Sequence, residues 1–274
     1  MYIINIFDTK NYEMGFACGE NAAVVPHTAK TLKKWATELN ADLVFNLAFF
    51  NMSGEPGVKY RTIQYLHIPR LGDCGYGGTE QVLTLPGTAE KVAGWKVGVE
   101  NGIVVTNDAS SRRSRNMLGI LNDGRVIQVQ TDLGEKKKGY TEREVCVYAA
   151  EYARTKLGSR IRLLFIMDAG GSTGCYSGRA KLLFAPEKQG KDGRPVPSVF
   201  WVRLKPNASK IQRALYQGLK GDDVKLLQMV IGGVEVDGFY GPATRARVIE
   251  VQKSLGLTPD GMAGPLTQKA LGLR

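Results

Sequence analysis

Residues 161–174 of this 274-residue chain are IRLLFIMDAGGSTG. The apolar run 161–167 predicts a buried strand, and Asp168 comes directly after it. The turn that follows lacks the lysine and the spacing of a phosphate-binding P-loop. It also lacks the Gly-x-Ser-x-Gly order of a nucleophile elbow. Because ligands of α/β domains commonly bind at the carboxyl ends of strands, Asp168 is the first candidate functional residue.

Segments typical of strands and helices alternate around this stretch as far as residue 204. Thr141 and Glu144 form a capping box that starts a helix, and Gly158 ends that helix. Another helix is predicted over 27–40, where apolar residues keep to one face. Strands are predicted at 41–50, 81–85, 95–99, 102–105, 118–121, 125–131 and 198–204, with a hairpin turn at 122–124. The pattern predicts a mixed α/β (α+β) domain over residues 1–204.

The chain changes character after a short linker at 205–208. The segment VDGFYGPAT at 236–244 recurs as PDGMAGPLT at 259–267, an offset of 23 residues. In each copy, Asp-Gly predicts a turn and Gly-Pro predicts the start of a helix. Together with a helix predicted from about residue 222 to 230, the repeat indicates a small all-α domain of three helices over 209–274.

This repeated segment closely resembles the peptidoglycan-binding domain found at the ends of many cell-wall hydrolases. The matching pieces are Leu227-Gln228, 237–244, Gln252 and 260–267. The resemblance implies peptidoglycan as a partner. The glycines and prolines are expected to be scaffold, and the expected ligand contacts are groove side chains such as Tyr240, Thr244 and Arg247.

Four separated segments of the large domain form an ordered set. They are 46–50 (NLAFF), 115–120 (RNMLGI) leading into 123–125 (DGR), 132–144 with its GYT at 139–141, and 168–172 (DAGGS) with 194–197 (RPVP) downstream. In that order they resemble the phosphodiester glycosidase family. Leu47, Ala48 and Ala169 replace family glycines, and Asn116 replaces a threonine or serine. These departures concern the shape of the sugar pocket more than the type of reaction.

The resemblance implies hydrolysis of a sugar-1-phosphate diester. Such a site needs a cation for the phosphate, a carboxylate that activates water or stabilises an oxocarbenium ion, and polar groups around the sugar. Arg115 suits the phosphate because its planar fork matches phosphate oxygens. The expected catalytic residues are Asp168, Arg115, Asp132 and Glu144, and the expected substrate-binding residues are Asn46, Thr141, Gly170, Gly171 and Ser172.

Each of these polar residues also has a structural interpretation. Glu144 is first of all a capping residue, and Asp132 could end a strand and hold a loop. Asp168 could accept backbone donors and fix the glycine turn, and Asn46 could cap its own loop. Arg115 belongs to the basic segment 110–115 (SSRRSR), which could be a solvated loop.

The net charge of +11 favours polyanionic partners. We expect peptidoglycan and an anionic wall glycopolymer, and regard nucleic acid as the weaker choice because no module that recognises it is present. Two histidines and four scattered cysteines without a CxxC pair argue against a zinc site, so neither a metal nor another cofactor is expected. The scattered cysteines also favour reduced thiols.

The first residues contain no basic region followed by a long apolar run, so no signal peptide is expected. No apolar run approaches the ~20 residues needed to span a bilayer. A catalytic domain fused to a wall-binding module resembles the layout of phage lysis enzymes. The corresponding expectation is synthesis in the cytoplasm and action at the bacterial cell wall after release.

Two other functions fit parts of the sequence. The first is a wall peptidase or amidase in which Cys18 is the nucleophile and His27 or His67 is the base. The second is a wall-binding protein without catalysis, which the replaced glycines favour.

Overall fold

The protein is described here by a computed structural model that covers residues 1–19, 29–50, 64–75, 80–134, 137–187, 192–206 and 210–274. Its strands are β1 Tyr2–Phe7, β2 Tyr12–Cys18, β3 Leu43–Asn46, β4 Leu66–Ile68, β5 Gly72–Gly75, β6 Leu83–Thr84, β7 Lys91–Val92, β8 Lys96–Glu100, β9 Ile103–Val104, β10 Asn116–Leu121, β11 Val126–Thr131, β12 Ile161–Ile166, β13 Cys175–Ser177, β14 Leu182–Phe184 and β15 Ser198–Leu204. Its helices are α1 Leu32–Leu39, α2 Glu142–Lys156, α3 Asp222–Ile231, α4 Pro242–Ser254 and α5 Pro265–Ala270.

The sheet that ends at Asp168 has six antiparallel strands in the order β1-β11-β10-β12-β8-β9. Residues of β12 alternate between its two faces, as the pleat of a strand requires. Leu164 and Ile166 pack in the cluster that contains α2, whereas Leu163 and Phe165 pack towards the second sheet. Because both faces are buried, the run 163–167 is apolar at every position.

The second sheet has five strands in the order β14-β13-β3-β15-β2. Its inner face contributes aromatic rings to the shared core, where the rings of Phe45 and Phe200 stack with centroids 5.9 Å apart. Helix α1 covers its outer face, and the indole N–H of Trp35 donates to the carbonyl of Val196 at 2.9 Å. The helix begins after the N-cap Thr31, so it is shorter than the predicted 27–40, of which 27 and 28 lie outside the described residues.

A small four-stranded sheet, β5-β4-β7-β6, packs beside the end of β2. Cys18 in β2 and Cys74 in β5 form a disulfide, with their Cα atoms 6.6 Å apart. The expectation of reduced thiols is therefore wrong for this pair. The fold brings together two cysteines that are 56 residues apart in sequence, which spacing alone did not indicate. Cys146 and Cys175 are free and buried.

The disulfide also bears on the cysteine-peptidase hypothesis. A nucleophile must be a thiolate, and Cys18 in a disulfide has no thiol to ionise. Of the two expected bases, His27 lies outside the described residues, and His67 pairs through Nδ1 with Asp73 at 2.8 Å. The structure therefore contradicts the Cys18 hypothesis in its oxidised state.

The C-terminal helices α3, α4 and α5 form a module that shares a hydrophobic cluster with the large domain. The hydroxyl of Ser177 donates to the carbonyl of Val230 at 2.7 Å, and the guanidinium of Arg179 donates to the carbonyl of Leu271 at 2.9 Å. The fold class is confirmed, as a mixed α+β domain followed by a helical module. In the part of the chain that the structure describes, no helix is long and apolar enough to cross a membrane.

Candidate functional site

Asp168 lies just past the end of β12, with only 6% of its surface exposed. Its backbone N–H donates to the carbonyl of Leu47 at 3.2 Å, and its carboxylate accepts from the N–H of Ala169 at 2.9 Å. Burial raises the pKa of Asp168 from its ordinary 3.8 to about 7, against the opposing effects of the Ser172 hydroxyl, the Ala169 N–H and the nearby cations Arg194 and Arg113. The fold therefore holds a carboxyl group that titrates near neutral pH.

The turn after Asp168 is fixed against the 114–115 segment. Gly170 has φ of 64°, a left-handed conformation that favours glycine. Its N–H donates to the carbonyl of Ser114, and the Ser114 hydroxyl donates back to the carbonyl of Gly170, both at 3.0 Å. Ser114 also donates to Glu187 at 2.7 Å, which places a second carboxylate beside the turn.

An open cavity of about 220 Å³ lies in front of this turn. Its lining residues are Phe49, Trp95, Ser111, Arg113, Arg115, Glu142 and Ala169. Trp95 is 52% exposed, and its ring meets that of Phe49 edge to face at 5.8 Å between centroids. An exposed aromatic surface beside cations is suited to a sugar ring that carries an anionic group.

Arg115 and Glu142 form a buried ion pair in the wall of this cavity, with 3.1 Å between Nη1 and Oε1. The other donors of Arg115 are also used, since Nε donates to the carbonyl of Tyr140 and Nη2 to that of Ser111. Lys96 approaches the second oxygen of Glu142 at 2.7 Å. Arg115 thus shapes the cavity with most of its donors already occupied.

Arg113 is the exposed cation of the cavity. Its backbone forms a bridge with Tyr140, with N–H to carbonyl distances of 3.2 and 2.9 Å. Among the described residues, its guanidinium has no hydrogen-bond partner. Arg113 is therefore better placed than Arg115 to receive a new anion.

The other two predicted carboxylates lie away from this cavity. Glu144 completes the capping box of α2 with Thr141 and pairs with Arg112 at 3.0 Å, so both capping residues face a different hollow. Asp132 accepts from the amino group of Met1 and from the N–H of Gly134. The structure thus brings Asp168 and Arg115 to one region but not Asp132 or Glu144, and it gives Thr141 a capping contact.

Asn46 and Ser172 are buried braces of the turn in this structure. The amide of Asn46 donates to the carbonyl of Asp168 at 2.9 Å and accepts from the N–H of Gly174 at 3.1 Å. Its own carbonyl accepts from Asn116 at 2.8 Å. The hydroxyl of Ser172 accepts from Arg194 at 3.3 Å. Asn46 therefore ties the two ends of the 168–174 turn together, and Ser172 is engaged by Arg194.

Sequence reasoning missed several residues of the cavity. Glu142 stands two positions before Glu144 in the same first helical turn, and residues two apart on a helix face different sides. The capping box therefore drew attention to the wrong glutamate. Phe49 lies in the segment 46–50 and Arg113 in the basic run before Arg115, but neither pattern marks them as cavity residues, and Trp95 belongs to no motif, because only the packing of separate loops brings the three together.

In the C-terminal module, each Asp-Gly turn is tied to a buried glutamine. The amide nitrogen of Gln228 lies 2.7 Å from Asp237, 3.0 Å from the carbonyl of Phe239 and 3.0 Å from the hydroxyl of Thr244. The amide oxygen of Gln228 accepts from the N–H of Gly238 at 2.9 Å. The single side chain of Gln228 thus makes four hydrogen bonds to the turn and the helix start at 237–244.

The second copy repeats these contacts. The amide nitrogen of Gln252 lies 2.8 Å from Asp260, 2.9 Å from the carbonyl of Met262 and 3.2 Å from Thr267, and its oxygen accepts from Gly261 at 2.9 Å. The repeated sequence therefore encodes a repeated hydrogen-bond network. This explains why the aspartate, glycine and threonine of each copy recur at an offset of 23, and the glutamine at an offset of 24.

The predicted groove residues of the module are mostly internal. Tyr240 is fully buried and donates to the carbonyl of Gly261 at 3.0 Å, and Thr244 is also buried. Arg247 donates to the carbonyl of Gly232 at 2.8 Å. At the surface, Phe239 and Met262 occupy equivalent positions of the two copies and are both exposed.

Comparison with known families identifies the C-terminal segment first. Residues 220–271 match the family model described as "Putative peptidoglycan binding domain". This confirms the resemblance stated for the repeated segment.

Three curated proteins share shorter stretches with the chain. They are an uncharacterized protein of Kitasatospora aureofaciens (46% identical over 59 residues, 19% of this chain and 50% of that one), the zinc D-Ala-D-Ala carboxypeptidase of Streptomyces albus G (40% over 60 residues, 19% and 24%) and a probable N-acetylmuramoyl-L-alanine amidase of Bacillus licheniformis (36% over 86 residues, 29% and 24%). The chain spans half or less of the length of each of these relatives.

Among solved structures, the chain is similar to the catalytic domain of zebrafish N-acetylglucosamine-1-phosphodiester alpha-N-acetylglucosaminidase. The TM-score is 0.45 at 12% identity, over 74% of this chain and 84% of that one. A hypothetical protein from Synechocystis gives a TM-score of 0.44 at 13% identity, over 72% and 57%.

Proposed function

We propose that this protein is a cell-wall hydrolase. Its large domain would cleave a sugar-1-phosphate diester in an anionic wall glycopolymer, while its C-terminal module would hold it on peptidoglycan. The observation that carries the proposal is the buried Asp168 carboxyl, with a pKa of about 7, whose chain neighbour Ala169 lines a cavity together with an exposed tryptophan and an exposed arginine. Strongly perturbed carboxyl groups beside a cavity are typical of catalytic sites.

The cavity offers the groups that such a reaction needs. Arg113 supplies an exposed cation for the phosphate, and Trp95 with Phe49 supplies an aromatic surface for the sugar. A phosphodiester leaving group is only weakly basic, so the reaction depends more on charge stabilisation than on a strong general acid. The carboxylate activates water or stabilises the developing oxocarbenium ion.

Asp168 suits that part because its pKa lies near neutral pH, where the ionised form and the proton-accepting power are both available. Glu142 is the carboxylate in the lining of the cavity, and Arg115 and Lys96 both pair with it. Both carboxylate oxygens of Glu142 are therefore already engaged by cations. We therefore assign the proton-accepting role to Asp168. The Arg115–Glu142 pair is assigned a structural role in the lining of the cavity.

The match of residues 220–271 supports the wall-binding half of the proposal. Two of the curated relatives are named as a carboxypeptidase and an amidase, reactions on wall peptides. The net charge of +11 favours the anionic polymers of a wall over uncharged ones. Release from the cytoplasm by lysis, as in phage enzymes, belongs to the same proposal.

The deciding experiment is to incubate the purified protein with Gram-positive wall fractions and identify the released products by mass spectrometry. The proposal expects sugars or sugar phosphates that derive from cleaved diesters. Released stem peptides would instead indicate a peptidase or amidase. Sedimentation with sacculi without any released product would indicate a wall-binding protein without catalysis.

A further inference from the structure

A second cavity, of about 440 Å³, lies beside the first. We call it the tyrosine groove, after the residues that define it: Tyr2, Arg112, Arg143, Val147, Tyr148 and Glu151. The function proposed above makes no use of it.

The two cavities share their dividing wall. Ser111, Arg113 and Arg115 line the first cavity, whereas Ala109 and Arg112 line the tyrosine groove. The first turn of α2 divides in the same way, with Glu142 on one side and Arg143 on the other. Because neighbouring residues of one segment face both cavities, a chain-like ligand can cross from one to the other over a single backbone segment.

The lining of the groove is balanced in charge. Arg112 pairs with Glu144 at 3.0 Å, and the guanidinium of Arg143 donates to the carbonyl of Thr106 at 3.1 Å. Two arginines thus face two glutamates, Glu144 and Glu151. The first cavity, in contrast, has one exposed arginine in addition to its internal ion pair.

Apolar surface completes the groove. The rings of Tyr2 and Tyr148 stack with centroids 4.0 Å apart and planes 12° from parallel, and Val147 is 45% exposed. Aromatic and apolar surface surrounded by both donors and acceptors suits an uncharged, polyhydroxylated ring. The groove therefore fits a saccharide better than a phosphate.

The far end of the groove reaches the C-terminal module. The hydroxyl of Tyr148 donates to Glu235 at 3.1 Å, and that of Tyr152 donates to the carbonyl of Val236 at 3.4 Å. The groove thus lies between the wall-binding module and the cavity in front of Asp168.

We propose that the tyrosine groove binds a saccharide unit of the wall polymer next to the unit that is cleaved. The polymer would run from the C-terminal module, through the groove, and over the 109–115 segment into the first cavity. The identity of the cleaved unit rests on the function proposed above, but binding of a saccharide in the groove does not.

The test compares Val147→Glu with Thr155→Glu in the full-length protein. Both positions are exposed on α2 and receive the same charge, but only Val147 lines the groove. Calorimetry with wall glycosyl-phosphate oligomers of one to four repeat units measures binding, and hydrolysis of the same series measures KM and kcat. Glu151→Ala, which removes an acceptor from the groove without adding bulk, is the second variant.

We expect Val147→Glu to weaken binding of the longer oligomers about fivefold to tenfold, with a matching rise in KM and an unchanged kcat. Glu151→Ala should weaken the same oligomers less, and single units and Thr155→Glu should show no change. The proposed saccharide site would be refuted if Val147→Glu and Thr155→Glu bound oligomers of every length equally. It would also be refuted if the affinity of the unaltered protein did not increase with oligomer length. Length-dependent binding without hydrolysis would overturn the proposed reaction alone.

Discussion

The C-terminal module and the Asp168 turn both bury polar side chains, but with different consequences. In the module, Gln228 and Gln252 are neutral amides whose nitrogen and oxygen are both hydrogen-bonded to a turn. At the turn, Asp168 is an ionisable group whose charge is costly where it lies, and its pKa rises to about 7. A fully hydrogen-bonded amide fixes the conformation of a turn, whereas a carboxyl group with a shifted pKa beside a cavity can take part in proton transfer. The two regions should therefore respond differently to substitution.

The largest expected effect is the loss of activity in Asp168→Asn. The substitution keeps the shape of the side chain and removes the charge, so turnover of a sugar-1-phosphodiester should fall about 10²–10⁴-fold. Steady-state kinetics on a short diester measures the loss. Asp132→Asn is the matched control, because Asp132 lies outside the cavity, and it should retain turnover within about twofold. Near-normal hydrolysis by Asp168→Asn would contradict the assignment.

The same variant tests the burial of the carboxyl through stability. The pKa of Asp168 is higher in the fold than its ordinary 3.8, so the folded state binds the extra proton between about pH 4 and pH 7. Stability from this group is therefore lost as pH rises through that range. Asp168→Asn should melt at the same temperature as the unaltered protein or above it at pH 8, measured by calorimetry. A melting temperature that falls together with activity would make Asp168 a brace of the glycine turn.

The next effect is on stability and concerns the module. Gln228→Ala leaves the N–H of Gly238 and its neighbours unpaired in a buried turn, which should cost about 2 kcal/mol. Gln252→Ala should cost a similar amount because its contacts are nearly the same. Urea titration measures both, with the exposed Gln217→Ala as the control. Clearly different changes in the free energy of unfolding would show that the two copies are similar in sequence but contribute unequally to stability.

A smaller effect separates the two arginines on either side of the dividing segment. Arg113→Ala removes the exposed cation of the first cavity, so KM for a short diester should rise about tenfold with little change in kcat. Arg112→Ala removes a neighbour of the same type that faces the other cavity, and KM for the short diester should stay unchanged. If KM rose for Arg112→Ala but not for Arg113→Ala, the phosphate would bind in the tyrosine groove and not in the first cavity.

Much of the architecture could be predicted from local pattern. The run 161–167 predicts β12 because a strand buried on both faces is apolar throughout, and the capping box fixes the start of α2 at Glu142. The doubled Asp-Gly and Gly-Pro units predict the module. These elements form by local rules that each segment obeys on its own. β1 and β2 were not predicted, since their pairing with β11 and β15 depends on partners more than a hundred residues away.

The site was less predictable for the same physical reason. Asp168 could be predicted as a functional residue from its position after a strand. The cavity, however, forms where the loops that contain Trp95, residues 111–115 and Ala169 meet. Arg115 matched a family pattern, yet the structure uses its donors for Glu142, Tyr140 and Ser111. Arg113, two residues earlier, remains exposed. Local sequence gives residue types, and only the assembled loops decide which of two neighbouring arginines is available.

The smallest expected effect concerns how the protein holds the wall. Attraction between a chain of net charge +11 and anionic polymer is screened over about 10 Å at 0.1 M salt, so binding to sacculi should weaken several-fold on going from low to high salt. We expect the exposed Phe239 to add apolar contact, so Phe239→Ala should lower binding by a further few-fold at either salt concentration. Sedimentation with sacculi, before and after chemical removal of the anionic polymer, measures both effects. If the salt dependence remains after that removal, the electrostatic attraction is to peptidoglycan itself. The ammonium of Lys220 lies 5.3 Å from the centroid of the Phe239 ring. An effect of Phe239→Ala that disappears at high salt would mean that this side chain acts only through Lys220.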